Sequence, residues 1–147
     1  MSHVRQQIRD KIATLLTSGV TLVSSRVYKT RVYPLSQAKL PAITVYVGSE
    51  ASGLATMGTK TLLRDLDVSI DVYENANTSL DDNLDAIAVQ IEETIAANFT
   101  LDGLAKQSVL TSTSIDFSGE TEQPVGIARL TYSIRYITSV DDVETAR

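Results

Sequence analysis

Residues 62–74 read LLRDLDVSIDVYE, and their parity decides the fold. In an extended chain Leu66, Val68, Ile70 and Val72 fall on one face, while Asp65, Asp67, Ser69, Asp71 and Tyr73 fall on the other. A strand with one apolar and one polar face needs a covering layer on its apolar side only. Immediately upstream, residues 48–61, GSEASGLATMGTKT, carry three glycines among small polar residues and keep neither period. They predict a long flexible loop, with a second strand over Pro41–Val47 before it, where Ile43, Val45 and Val47 alternate with Thr44 and Tyr46. Further upstream, RVYKTRVYP at 26–34 predicts a strand with a wet face, charged at Arg26, Lys29 and Arg31 and ended by Pro34.

Helices flank this group. Val4, Ile8, Ile12, Leu15 and Leu16 follow helical spacing over about residues 3–18, with Ser2 as the expected cap and Gly19 where a helix commonly ends. Downstream, Thr78 or Ser79 caps a helix running to about Ala97, whose apolar stripe is Leu84, Ile87, Ala88, Ile91 and Ile95. A turn around Asp102 and Gly103, a strand in SVLTSTSIDF, a polar hairpin loop in SGETEQPVG and a last strand in IARLTYSIRYIT complete the chain. In that last strand Ala128, Leu130, Tyr132, Ile134 and Tyr136 share a face. The polar tail SVDDVETAR, residues 139–147, is expected to fray. The expected architecture is α+β, in the order α-β-β-β-α-β-β: one mostly antiparallel or mixed sheet of about five strands packed against two helices. Residues 1–147 are expected to form a single domain.

The composition excludes several classes of function. At 147 residues and 15.9 kDa, with 43% hydrophobic residues, the chain is large enough for one self-sufficient core. It contains no cysteine and one histidine, so thiol chemistry, disulfides, structural zinc and iron–sulfur clusters have no ligands. A net charge of −5 and aromatics at 5% oppose nucleic-acid binding through phosphate contacts or base stacking. The opening MSHVRQQIRD has no apolar run behind its basic residues, and no stretch is apolar enough for a membrane span, so a soluble, cytoplasm-like setting without membrane contact is expected.

No chemistry-bearing motif emerges. Asp65, Asp67 and Asp71 form a row about 7 and 13 Å long, whereas an ion site needs converging ligands. The plainer reading is a solvated sheet face, paired across strands with Arg129 and Arg135. Asp81, Asp82 and Asp85 are accounted for by the positive end of the helix. His3 has no triad partners, and no phosphate-binding glycine loop occurs. Neither a catalytic residue nor a cofactor or metal site is expected.

Charge is distributed unevenly. Residues 1–40 hold seven Lys/Arg and one acid, Asp10, a net of +6; residues 41–147 hold six Lys/Arg and seventeen acids, a net of −11. Opposite-sign surfaces of this kind suit copies that pack head to tail.

Several strings taken together are similar to a known family. A helix ending before RVY, then LPAITVYVGSEASG, LLRDLDVSIDVYE, the acid-capped SLDDNLDAIAVQIEETI and the closing ARLTYSIRYIT resemble the tail terminator proteins of long-tailed bacteriophages, the minor tail protein U family. The resemblance spans about residues 3–138, and the C-terminal tail exceeds the family pattern. It implies a virion protein assembled in the host cytoplasm: a hexameric ring on the head-proximal end of the tail tube, ending its polymerisation and offering a head-joining surface. Implied partners are further copies of the chain, the tail-tube protein and a head-completion or connector protein, with no sequence-specific nucleic-acid contact. Expected subunit or tube contacts are Arg26, Lys29 and Arg31, the loop residues Gly48, Ser52, Gly53, Met57 and Lys60, and the acids Asp65, Asp67 and Asp71. Two other readings stay open: a related tail-tube or head–tail joining subunit, and a small cytoplasmic ligand-binding or enzymatic α+β domain with a polar pocket.

Overall fold

The computed structural model describes residues 2–23, 26–29, 41–55, 58, 60–75, 79–118 and 125–147. The apolar stripes read above form two helices, α1 (Val4–Gly19) and α2 (Leu80–Ala97), on one face of a five-stranded sheet. The strands are β1 (Val27–Tyr28), β2 (Ala42–Leu54), β3 (Thr61–Asn75), β4 (Gln107–Ser118) and β5 (Val125–Ser139), in spatial order β1-β2-β3-β5-β4. All pairs are antiparallel except β1 with β2, so the sheet is mixed, and the element order is the expected one.

The core lies between sheet and helices. Leu66, Val68, Ile70 and Val72 of β3 are fully buried, as are Ile43 and Val45 of β2 and Leu130, Ile134 and Tyr136 of β5. They meet Ile8, Ile12 and Leu16 of α1 and Leu84, Ile87, Ile91 and Ile95 of α2, and β3, paired on both edges, is the centre of the layer. Gly19 lets the helices close on one another: a Cβ there would stand 2.5 Å from Thr94 Oγ1 and 2.8 Å from its Cγ2.

Four expectations are corrected. The segment Gly48–Leu54, expected as loop, is the second half of β2, with Ser49–Leu54 pairing Leu62–Asp67 of β3. The pairing skips between Val47 and Ser49, so Gly48 is bulged out. A one-residue bulge reverses which side chains face the core, which breaks the alternation a sequence reading depends on. Of the strand expected over 26–34, the described residues 26–29 pair at Val27–Tyr28 alone, and residues 30–34 lie outside the described ones. The cap of α1 is His3 rather than Ser2, its Nδ1 accepting from Arg5 N at 3.0 Å. Burial, together with the charges of Arg5 and Arg64, lowers the pKa of His3 against the opposing pull of Glu50, which keeps the ring neutral and able to accept.

The tail, expected to fray, is tied down. Val4 N donates to Val143 O at 2.9 Å, Gln7 Nε2 to Glu144 O at 2.8 Å, and Arg147 N to Ile137 O at 2.8 Å. Thr138 bridges Ala146, which packs against the core. Backbone groups that find partners inside the chain stay ordered even where the side chains are polar.

Candidate functional site

Three surfaces follow from this arrangement. The first is the outer half of the β2–β3 hairpin. Beyond the bulge, Glu50 shares a face with Arg64 and Leu66, on the helix side of the sheet. Its carboxylate accepts from Arg5 Nη1 at 2.8 Å, from Arg64 Nη1 at 3.1 Å and from the Tyr136 hydroxyl. Arg64 also donates through Nε to Thr138 Oγ1 at 3.0 Å, and its guanidinium stands 5.9 Å from the centre of the Tyr136 ring. The Glu50 and Arg64 side chains are only 10% and 9% exposed, so this is a nearly desolvated ion pair held by added hydrogen bonds. Burial first, then the bond to Glu50, raises the pKa of the Tyr136 hydroxyl, which remains a donor. Residues from α1, β2, β3 and β5 thus lock the base of a hairpin whose outer residues, Ser52, Gly53, Leu54 and Lys60, are exposed.

The second surface is the face of the sheet turned away from the helices. Arg129 grips Asp71 with Nε at 2.9 Å and Nη2 at 3.1 Å, and the Tyr46 hydroxyl donates to the same carboxylate at 3.0 Å. Asp71 is 1% exposed, and its bond raises the pKa of Arg129. Asp65 pairs with Arg135 Nε at 2.9 Å, and Ser49 Oγ donates to Asp67 at 3.1 Å. The row of acids is therefore bound within the chain, through the cross-strand register Asp71↔Arg129 and Asp65↔Arg135.

The third comprises the basic residues near α1. Lys29 pairs with Asp10 at 3.3 Å, and Arg26 Nε donates to Pro41 O at 3.0 Å. Lys60 meets the tail through its carbonyl, which accepts from Val140 N at 2.7 Å. Arg31 and Met57 lie outside the described residues. The structure does not bring Arg26 and Lys29 together with Asp65, Asp67 or Asp71 by any hydrogen bond or ion pair among the described residues.

The Glu50 cluster was missed by sequence reasoning, although one signal was present. Arg64 has the same parity as Leu66, Val68, Ile70 and Val72, and a charge in a core row must find a buried partner. Among the described residues no three His, Asp or Glu are placed to hold a metal, and no helix is long and apolar enough to cross a membrane. A cleft of about 260 Å³, lined by Leu22, Pro41, Glu74, Asn83, Ala86 and Ile87, is smaller than the usual small-molecule site.

No curated protein matches the chain. Among solved structures, a chain of the virion of a native gene transfer agent particle is similar, with a TM-score of 0.48 and 12% identity, covering 86% of this chain and 92% of that one. The sequence profile described as phage minor tail protein U matches residues 3–136, nearly the whole length. With so much of its helices, sheet and hairpin inside that match, this chain belongs to the phage minor tail protein U family.

Proposed function

We propose that the chain is the subunit of a hexameric ring that closes the head-proximal end of the tail tube, stops tube growth there and carries the surface to which the head joins. The observation that carries this reading is the family match over residues 3–136. Two structural features support it. The β2–β3 hairpin is braced at its base by Glu50 and Arg64 and exposed beyond it, which suits an arm that reaches a neighbour or the last ring of the tube. The charged side chains of the sheet are spent on internal pairing rather than converging on a pocket, which suits a structural, non-enzymatic subunit.

In this reading Ser52, Gly53, Met57 and Lys60 contact the tube, and Arg26, Lys29 and Arg31 face other subunits. The partners are copies of the same chain, the tail-tube protein and a head-completion or connector protein, and the chain resides in the virion. The test is to add the protein to polymerising tube subunits and view the products by electron microscopy. Tubes of bounded length with a six-fold ring at one end are expected. Deleting Ser52–Lys60, which leaves Glu50 and Arg64 in place, should preserve the fold and give uncapped tubes. Incorporation along the tube, as a tube subunit would show, or full capping by the deletion variant, overturns the proposal.

A further inference from the structure

The two flanks of the molecule are unlike, and each is unfinished. On one flank the sheet ends at β4, beside α2, which packs over β3, β5 and β4. α2 turns Gln90 and Thr94 toward α1: Gln90 Nε2 donates to Thr21 Oγ1 at 3.1 Å, Leu22 N donates to Gln90 Oε1 at 3.3 Å, and Thr94 sits on Gly19. At about 3.6 residues per turn, Asp81, Asp85 and Glu92 fall on the opposite side of the helix, toward β4. All three are exposed, and none has an ion-pair partner among the described residues. Glu92 lies close enough to Tyr132 of β5 for its charge to act on that hydroxyl. Alongside, β4 is exposed from Thr111 to Phe117 and, among the described residues, pairs on one edge only. Ile115 and Phe117, opposite Ala128 and Gly126, stand on the helix side of the sheet yet remain 50% and 61% exposed. A long edge strand with unpaired backbone groups and two exposed apolar side chains is a template for a further strand.

On the other flank α1 packs over β1 and β2. The side of α1 away from α2 carries the half-buried Arg9, which has no ion-pair partner among the described residues, and Lys29 lies by the same helix at Asp10. Past the bulge, the outer edge of β2 from Ser49 to Leu54 has no strand beside it among the described residues, and Leu54 is exposed.

We propose that adjacent copies meet head to tail through these flanks, the β4 edge and the acidic side of α2 of one copy docking on the α1–β1 side and the free β2 edge of the next. The antiparallel pairs run β2, β3, β5, β4 with alternating direction, so β4 is antiparallel to β2. Rotation about an axis along the strands preserves strand direction, so β4 of one copy approaches β2 of the next as an antiparallel pair, with the stagger that a ring of tilted strands requires. Because the two surfaces differ, the contact is heterologous and can repeat until it closes. Carboxylates on one side meet Arg9 and Lys29 on the other. This contact rests on the ring reading above and says which surfaces build it.

Two variants test it. One carries Asp81→Lys, Asp85→Lys and Glu92→Lys; the other carries Arg9→Glu and Lys29→Glu. Circular dichroism verifies that each is folded, and light scattering gives mass against concentration. The wild type is expected to assemble, and each variant alone to self-associate on the order of 100-fold more weakly. An equal mixture should assemble again in alternation, since one contact then joins the two native flanks and the next joins the two reversed ones, lysines against glutamates. Variants that assemble like the wild type, or a mixture that does not assemble, overturn the contact while leaving the ring reading in place. A wild-type chain that stays monomeric at millimolar concentration and also forms no ring on tail tubes overturns both.

Discussion

Glu50, Asp65 and Asp71 lie on strands and each ends on an arginine of the same chain, whereas Asp81, Asp85 and Glu92 lie on a helix that contains no lysine or arginine and pair with none among the described residues. Both groups contribute equally to a net charge of −5, yet they do different work. A sheet supplies partners automatically, because register places Arg129 beside Asp71 and Arg135 beside Asp65. A helix supplies them only at i+3 and i+4, and α2 offers no cation there. The internal pairs hold this fold in shape; in the contact proposed above, the unanswered carboxylates are what a neighbouring copy meets.

The contrast predicts a descending series of effects on stability. Glu50→Ala strands Arg64 in a nearly dry site and should cost about 3 kcal/mol, read as a lower urea midpoint at unchanged slope. A loss below 1 kcal/mol would mean that the cluster opens to water. Alkaline pH should come next. Tyr132 is pushed up to about 12, first by burial and then by the charge of Glu92, from an ordinary 10. A raised pKa means stability fully present below pH 10 and lost as pH rises toward 12, roughly 2–3 kcal/mol in all. Tyr132→Phe should flatten the decline of urea stability across that interval. Asp71→Ala removes the acceptor for Arg129 and Tyr46 and should cost about 2 kcal/mol. Asp65→Ala, in a pair whose two side chains are each about 40% exposed and screened by water, should cost less than either of these. Reversing Asp81, Asp85 and Glu92 to lysine should cost monomer stability only what the positive end of α2 loses with Asp81, about 1 kcal/mol, while weakening self-association on the order of 100-fold. A large loss of stability there would break the contrast.

Legibility followed the same division. Periodicity revealed α1, α2, β3 and β5, because each buries one face against the layer and so repeats every 3.6 or 2 residues. The cross-strand pairs of Asp65 and Asp71 were readable from parity alone. Gly48–Leu54 was not, since the bulge at Gly48 resets parity and the strand is held by β3 and by the Glu50 cluster rather than by its own small residues. The cluster itself joins positions 5, 50, 64, 136 and 138, and no local pattern brings those together. The docked tail escaped for a related reason, because its anchors are backbone bonds to Val4 and Ile137 that side-chain polarity does not encode.

Segregated charge acquires a sharper meaning in this light. The basic first 40 residues and the acidic remainder do not simply confront each other as blocks. Lys11 and Lys29 are met inside the chain by Asp102 and Asp10, and Arg5 by Glu50. In the proposed contact, what remains for a neighbour is the acidic flank of α2 on one side and, on the other, Arg9 with Lys29, which stays half-exposed beside Asp10 on the α1–β1 surface.

In the proposed role the chain sits at one end of the tail and nowhere else along it. Immunogold labelling of finished tails with an antibody to the chain measures that directly. Label confined to the head-proximal end is predicted, and label distributed along the tube would contradict it.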